Sequence, residues 1–203
     1  MSHLKGIGTS EILKEATVRE RNFIERGLIH FQNDPALFYQ LPINILTEAI
    51  WKEQIAQSKG ISEILVKAKT ELISPYDDVR NSVFMLLVEI AKQDQGNMEV
   101  ISFAQQAMQD EYSGLRNSVV KLLCEIANQG QWVPKIMPIA QQALQDQDWG
   151  VRVSAVQLLS IIAKQGQGIQ EIMPLAQQAM QDPSKHVRAA AIELQEVLNN
   201  LKI

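Results

Sequence analysis

Aspartate and arginine are the residues of this sequence placed most suggestively for chemistry, recurring as Asp110, Asp146 and Asp182 and as Arg80, Arg116, Arg152 and Arg188. An acid and an arginine could belong to a catalytic centre, but a reaction needs one constellation, and this one returns every 36 residues. Repetition points instead to a structural ladder. An Asp in a turn can cap the amides of the helix that follows, and an Arg in each unit can reach the Asp of the next by charge-assisted hydrogen bonds. The other chemically able residues are scattered. His3, His30 and His186 have no acid or Cys at metal-ligand spacing, so no zinc or iron site is expected. Cys124 falls in an apolar row and reads as inert packing, and the glycines at 6 and 8 follow no strand, so they make no phosphate loop. No catalytic, cofactor-binding or metal-ligating residue follows from the sequence.

Composition narrows the function classes further. The formal net charge of −4 offers no general attraction for nucleic acid or for anionic lipid. A single cysteine forms no internal disulfide, which fits a reducing, cytoplasmic setting. The longest apolar run, VFMLLV at 83–88, is far short of a membrane span, and the N-terminus lacks the apolar stretch of a secretion signal. Few Gly and Pro residues disfavour a loop-rich β architecture.

The elements that must position the Asp and Arg columns follow from the repeat itself. The heptapeptide AQQ-Ala-(Met/Leu)-Gln-Asp begins at Ala104, Ala140 and Ala176, again 36 residues apart. Such a period marks a stacked array in which each unit is one supersecondary element. Ile136, Met137, Ala140, Ala143 and Leu144, with their counterparts one period away, recur at helical spacing and define a first helix, A. After a short turn, Val151, Ala155, Leu158 and Ile162 and their counterparts define a second, B. A further apolar row on B, Phe84, Val88, Val120, Cys124 and Val156, requires cover from a neighbouring hairpin.

Pro138, Asp146 and Arg152, then Pro174, Asp182 and Arg188, carry a resemblance to the HEAT-repeat family: a Pro in helix A, an Asp at its end, and an Arg opening helix B. The resemblance covers about 68–203 and departs at Ser74, Val66 and Ser102, which replace the Asp and two of the prolines. It implies an all-α, right-handed α-α superhelix of the HEAT or armadillo kind with about five helix pairs. Residues 1–60 read as a degenerate N-terminal repeat or cap, with a long helix over about 10–32 and an insertion at 34–42. Residues 61–203 read as four repeats, continuous with the cap as one domain. In the last B helix, Gln195, Glu196 and Asn199 replace apolar residues of earlier repeats, so the array is expected to end near 201 on a polar face.

Function is expected away from the repeated heptapeptide, whose Gln141, Gln142 and Gln145 read as solvated surface. The family resemblance implies that B helices line the concave side. The varied rows there, Asn81, Asn117 and Val153, then Met85, Lys121 and Gln157, then Glu89, Glu125 and Ile161, are the candidate partner-binding residues. Tyr112 and Trp149, in the A-to-B turns, join them as exposed-edge anchors. Trp132 is placed on the opposite edge and Trp51 in the core. The expected function is that of a non-enzymatic scaffold or adaptor for a protein or peptide, with no cofactor, nucleic acid or membrane partner and a homodimer as a further option. Two alternatives stand beside it. One is a HEAT-like enzyme, such as a lyase attaching bilin chromophores to a pigment groove; the other is a purely structural homo-oligomer.

Overall fold

The computed structural model describes residues 51–52, 55–58 and 60–201. The expected helix over 10–32, the insertion at 34–42 and the fifth helix pair built on them lie outside the described residues. Four helix pairs lie within, and every regular element among the described residues is a helix. Each pair joins an 11-residue helix A to a 16-residue helix B: α1 (Ile61–Glu71) with α2 (Asp77–Lys92), and α3 (Asn97–Ala107) with α4 (Ser113–Asn128). The third pair is α5 (Val133–Ala143) with α6 (Trp149–Lys164), and the fourth is α7 (Ile169–Ala179) with α8 (Lys185–Asn200).

Local chemistry sets these boundaries. Each A helix starts after a residue in the left-handed region, Gly60, Gly96 and Gly168 at φ 63, 63 and 60°. That conformation is steeply disfavoured once a Cβ is present, which accounts for the glycines. The fourth such position is Trp132, at φ 64°. At the other end, the Oδ1 atoms of Asp110, Asp146 and Asp182 accept from the backbone N–H two residues on, at 2.9, 2.9 and 2.7 Å. The expectation that Asp146 caps the next helix is thus corrected. Its carboxylate closes the turn, and the N-cap is Asp148, which accepts from the amides of Gly150 and Val151 at 2.8 and 3.2 Å. In the following repeat Ser184 takes that place, accepting from His186 N.

The chain divides between Glu89 and Ile90 into two compact units. In the first, Trp51, Ile55, Ile64, Val83, Phe84 and Leu87 are fully buried, with Trp51 in the core as its column predicts. In the second, α6 packs between α4 and α8. Their apolar columns Val119, Leu122 and Ile126, Ala155, Leu158 and Ile162, and Ala191, Leu194 and Leu198 supply the core. Each large side chain buried in this way contributes ~1.5–3 kcal/mol, so these columns, more than any polar contact, hold the stack together. The small residues of the heptapeptide, Ala140 and Ala143, are fully buried, and Gln141 and Gln145 face solvent. On α8, Glu196 and Asn199 are exposed as expected, but the outer face is not uniformly polar. Ile192 is exposed beside them, because it occupies the column that Val120 and Val156 bury in earlier repeats.

Candidate functional site

The Asp and Arg columns meet across repeats. Arg116 donates Nε and Nη2 to the two carboxylate oxygens of Asp146 at 2.7 and 2.8 Å, and Arg152 does the same to Asp182 at 2.7 and 2.9 Å. The remaining Nη1 of each arginine turns back on its own turn, to the carbonyls of Asp110 and Glu111 and of Asp146 and Gln147. Arg80 likewise donates Nη1 to Ser74 O, and Arg188 to the carbonyls of Asp182 and Pro183. The first pair is deeply placed, with side chains 6 and 7 % exposed. The hydrogen bond from Arg152 holds the Asp182 carboxyl below its ordinary range against the opposing effect of burial. At Asp146 burial pushes upward most strongly, but Arg116, the Asp148 amide and the charge of Arg152 together outweigh it. These groups are paired with one another between successive repeats and are largely buried.

A second ladder, which the sequence reading missed, runs along the B-to-A loops. Gln129 donates Nε2 to the carbonyl of Ala91, and Gln165 donates Nε2 to that of Ala127 at 2.7 Å. Each rung adds a second donor to a carbonyl near the end of the preceding B helix, which already accepts from the backbone N–H three residues on, Asp94 N at 3.0 Å and Gly130 N at 2.9 Å. Gln129 also accepts from Asn97 Nδ2 at 3.0 Å. The sequence did hold a signal for it, since Gln93, Gln129 and Gln165 share the 36-residue interval.

With those columns accounted for, the B-helix face of the second unit is left as a cleft of about 480 Å³. Lys121, Cys124, Glu125 and Asn128 of α4 form one wall, Gln157, Ser160, Ile161 and Lys164 of α6 the floor, and Ala190 and Glu193 of α8 the other wall. Four of the expected partner-binding residues, Lys121, Glu125, Gln157 and Ile161, therefore come together. Lys121 and Gln157 are exposed, while Glu125 and Ile161 are half-buried. Asn117 and Val153 are not among the lining residues. The Asn117 carboxamide oxygen instead accepts from Ser154 Oγ at 2.6 Å, tying α4 to α6. Asn128, Ser160 and Ala190 entered the cleft unforeseen, although Asn128 and Ser160 stand one helical turn from Glu125 and Gln157. Cys124, expected as inert packing, is half-buried beside the cleft. Burial, reinforced by Glu125 and opposed by Lys121, pushes its thiol up to about 12. In the first unit, α2 carries Met85 exposed, with Asn81 and Glu89 half-buried.

Tyr112 and Trp149 lie at the turn edge, away from the cleft. The Tyr112 ring folds over the first turn of α4, so close to Gly114 that a Cβ there would stand 2.6 Å from it. Trp149 is 51 % exposed, and its ring meets that of His186 at 4.8 Å. Among the described residues, no helix is long and apolar enough to cross a membrane, and no cluster of His, Cys, Asp or Glu could hold a metal ion.

Comparison with known proteins places the repeat. A family model described as HEAT repeat matches residues 136–166, which cover most of α5, the A-to-B turn and α6. A similar solved structure is that of an engineered protein, 16 % identical, with a TM-score of 0.51 over 76 % of this chain. This chain covers 42 % of that engineered chain's length, and at such identity the likeness speaks to fold alone. No curated protein matches the chain.

Proposed function

We propose that this all-helical chain, in which residues 136–166 match the HEAT repeat, is a binding scaffold without catalytic activity, and that the cleft across α4, α6 and α8 receives a segment of a protein partner. The observation that carries this reading is the contrast between columns. Core positions such as Leu86, Leu122, Leu158 and Leu194, and the ladder residues Asp110, Asp146 and Asp182 with Arg116, Arg152 and Arg188, keep their type from repeat to repeat, whereas the cleft positions Lys121, Gln157 and Glu193, and Glu125 and Ile161, change. A stack needs constancy where repeats touch, and a recognition surface needs differences. The cleft sets Lys121 and Lys164 against Glu125 and Glu193, with Ile161 between them, which suits a segment carrying both charges around one aliphatic side chain. Mixed charge of this kind confers selectivity more than raw affinity. Met85 of α2 holds the repeat position that Lys121 and Gln157 hold in the second unit, and Tyr112 and Trp149 offer edge contacts of the kind aromatic anchors make.

The reading is tested by selecting peptides from a displayed random library on the intact protein and measuring their affinity for variants. Ile161→Glu and, on an exposed side chain whose loss leaves packing intact, Lys121→Glu should each weaken selected peptides at least about tenfold, the effect of losing ~1.4 kcal/mol. Gln141→Glu on the opposite helix set should leave them unchanged. Equal binding to all three variants overturns the cleft as the site.

A further inference from the structure

The outer face of α8 differs from those of α4 and α6 in what covers it. Val120 and Val156 are fully buried, whereas Ile192, in the same column, is 52 % exposed. Met180 of α7 is 40 % exposed, against 4 and 7 % for its counterparts Met108 and Leu144. Arg188 shows the same change in its hydrogen bonds. Arg116 and Arg152 place Nε and Nη2 on a carboxylate of the following repeat, but Arg188 donates only Nη1, to the carbonyls of Asp182 and Pro183. Among the described residues its other edge meets no acceptor. An apolar column and a guanidinium edge shaped for a carboxylate thus lie together on one helix face.

We propose that this face pairs with the same face of a second copy of the chain, with the two α8 helices antiparallel about a two-fold axis through Ile192. The sequence of α8 is arranged for it. Residues three, four and seven positions from Ile192 on either side share its helix face. On the N-terminal side these include Lys185 and Arg188, and on the C-terminal side Glu196 and Asn199. An antiparallel pair centred on Ile192 sets Arg188 of each copy opposite Glu196 of the other, on both sides of the apolar contact. Each guanidinium thereby gains a carboxylate like the one its counterparts already hold. A parallel pair would oppose Arg188 to Arg188 and Glu196 to Glu196, so charge selects the direction. The contact is isologous and closes at two copies. It uses none of the cleft wall formed by Ala190 and Glu193 on the same helix, so it stands or falls apart from the binding role of the cleft.

Sedimentation velocity of the full chain, from about 5 to about 300 µM to span the range of a small interface, tests this directly. The weight-average mass should rise from 22.8 kDa toward twice that value. Ile192→Glu, and Glu196→Arg, which places two arginines opposite each other, should each weaken association at least tenfold. Their circular dichroism melts should match the wild type, because both side chains are exposed. Arg188→Glu combined with Glu196→Arg restores opposite charges across the axis and should regain association to within about threefold of wild type at low salt. A wild type that stays at 22.8 kDa throughout overturns the proposal. So does association unchanged in Ile192→Glu and Glu196→Arg, or a double variant no stronger than Glu196→Arg alone.

Discussion

Arg152 and Arg188 perform the same local task and differ in one contact, which makes them a matched pair for weighing the inter-repeat ladder. Both donate Nη1 to two carbonyls of their own turn, at 2.8 and 3.1 Å for Arg152 and 2.7 and 2.9 Å for Arg188. Arg152 also grips the Asp182 carboxylate with two further N–H groups. Arg188→Ala should cost ~1 kcal/mol, the net worth of a hydrogen bond or two at a half-exposed turn. Arg152→Ala loses the same bonds and leaves a carboxylate in a site that is only about a tenth exposed, at 10 % for the Asp182 side chain. Removing one member of a buried pair costs ~3–5 kcal/mol, and partial exposure brings the expectation here to about 3 kcal/mol. The ladder contact is therefore expected to account for about 2 kcal/mol of difference between the variants, or roughly 4–8 °C in Tm for a chain of this size. Urea unfolding followed by circular dichroism gives the free energies, and hydrogen exchange at α6 and α8 reports whether the loss is confined to that junction. Equal destabilisation by the two variants would refute the inter-repeat pair as a source of stability.

Acid should expose the same contacts. Asp146 and Asp182 ionise below the ordinary carboxyl range in the folded chain, so their stabilisation is complete above the unfolded value near ~3.9 and fades as pH falls through the lower folded value. The Tm of the wild type should therefore drop as pH falls below about 4, and Asp146→Asn/Asp182→Asn, less stable at neutral pH, should show a shallower drop; parallel curves would contradict the pairing. With its thiol pushed up to about 12, Cys124 should react with a soluble disulfide reagent roughly 10³-fold more slowly in the folded chain than in urea at pH 7.5, and rapid folded-state labelling would show the cleft wall to be open. Gly168→Ala should cost ~1–2 kcal/mol for its left-handed backbone alone. A Cβ there meets its nearest atom at an ordinary 3.5 Å, so a neutral effect in thermal unfolding would mean that the loop relaxes to another conformation.

How much was legible in the sequence depended on whether a residue's task repeats. The core columns and the Arg and Asp positions recur every 36 residues, so periodicity alone located them. The division of labour in the turn did not recur in type. Asp148, Ser184 and Tyr112 occupy one N-cap column with different side chains, of which Asp148 and Ser184 cap and Tyr112 does not, and the cap was credited to the constant Asp146 instead of its variable neighbour. The glutamine ladder recurs perfectly but is built of a residue that also covers ordinary helix surface. Only the geometry separates Gln129 and Gln165, bound to backbone carbonyls, from the solvent-facing Gln141 and Gln145. The cleft was read as rows along each helix, and Lys121, Glu125, Gln157 and Ile161 were found that way. Which residues share one cavity depends on how neighbouring helices are set against each other, so Asn117 was included although Ser154 engages it, and Asn128 and Ser160 were left out.

The central claim, that the B-helix cleft is where a partner binds, is tested most directly by photo-crosslinking in the native cell. A photoreactive amino acid placed at Gln157, exposed on the cleft floor, should capture a discrete protein adduct, and Lys121→Glu in the same chain should abolish it. The same reporter at Gln177, exposed on helix α7, should not give that adduct. An adduct formed equally from both positions, or one from Gln157 that survives Lys121→Glu, would contradict the account.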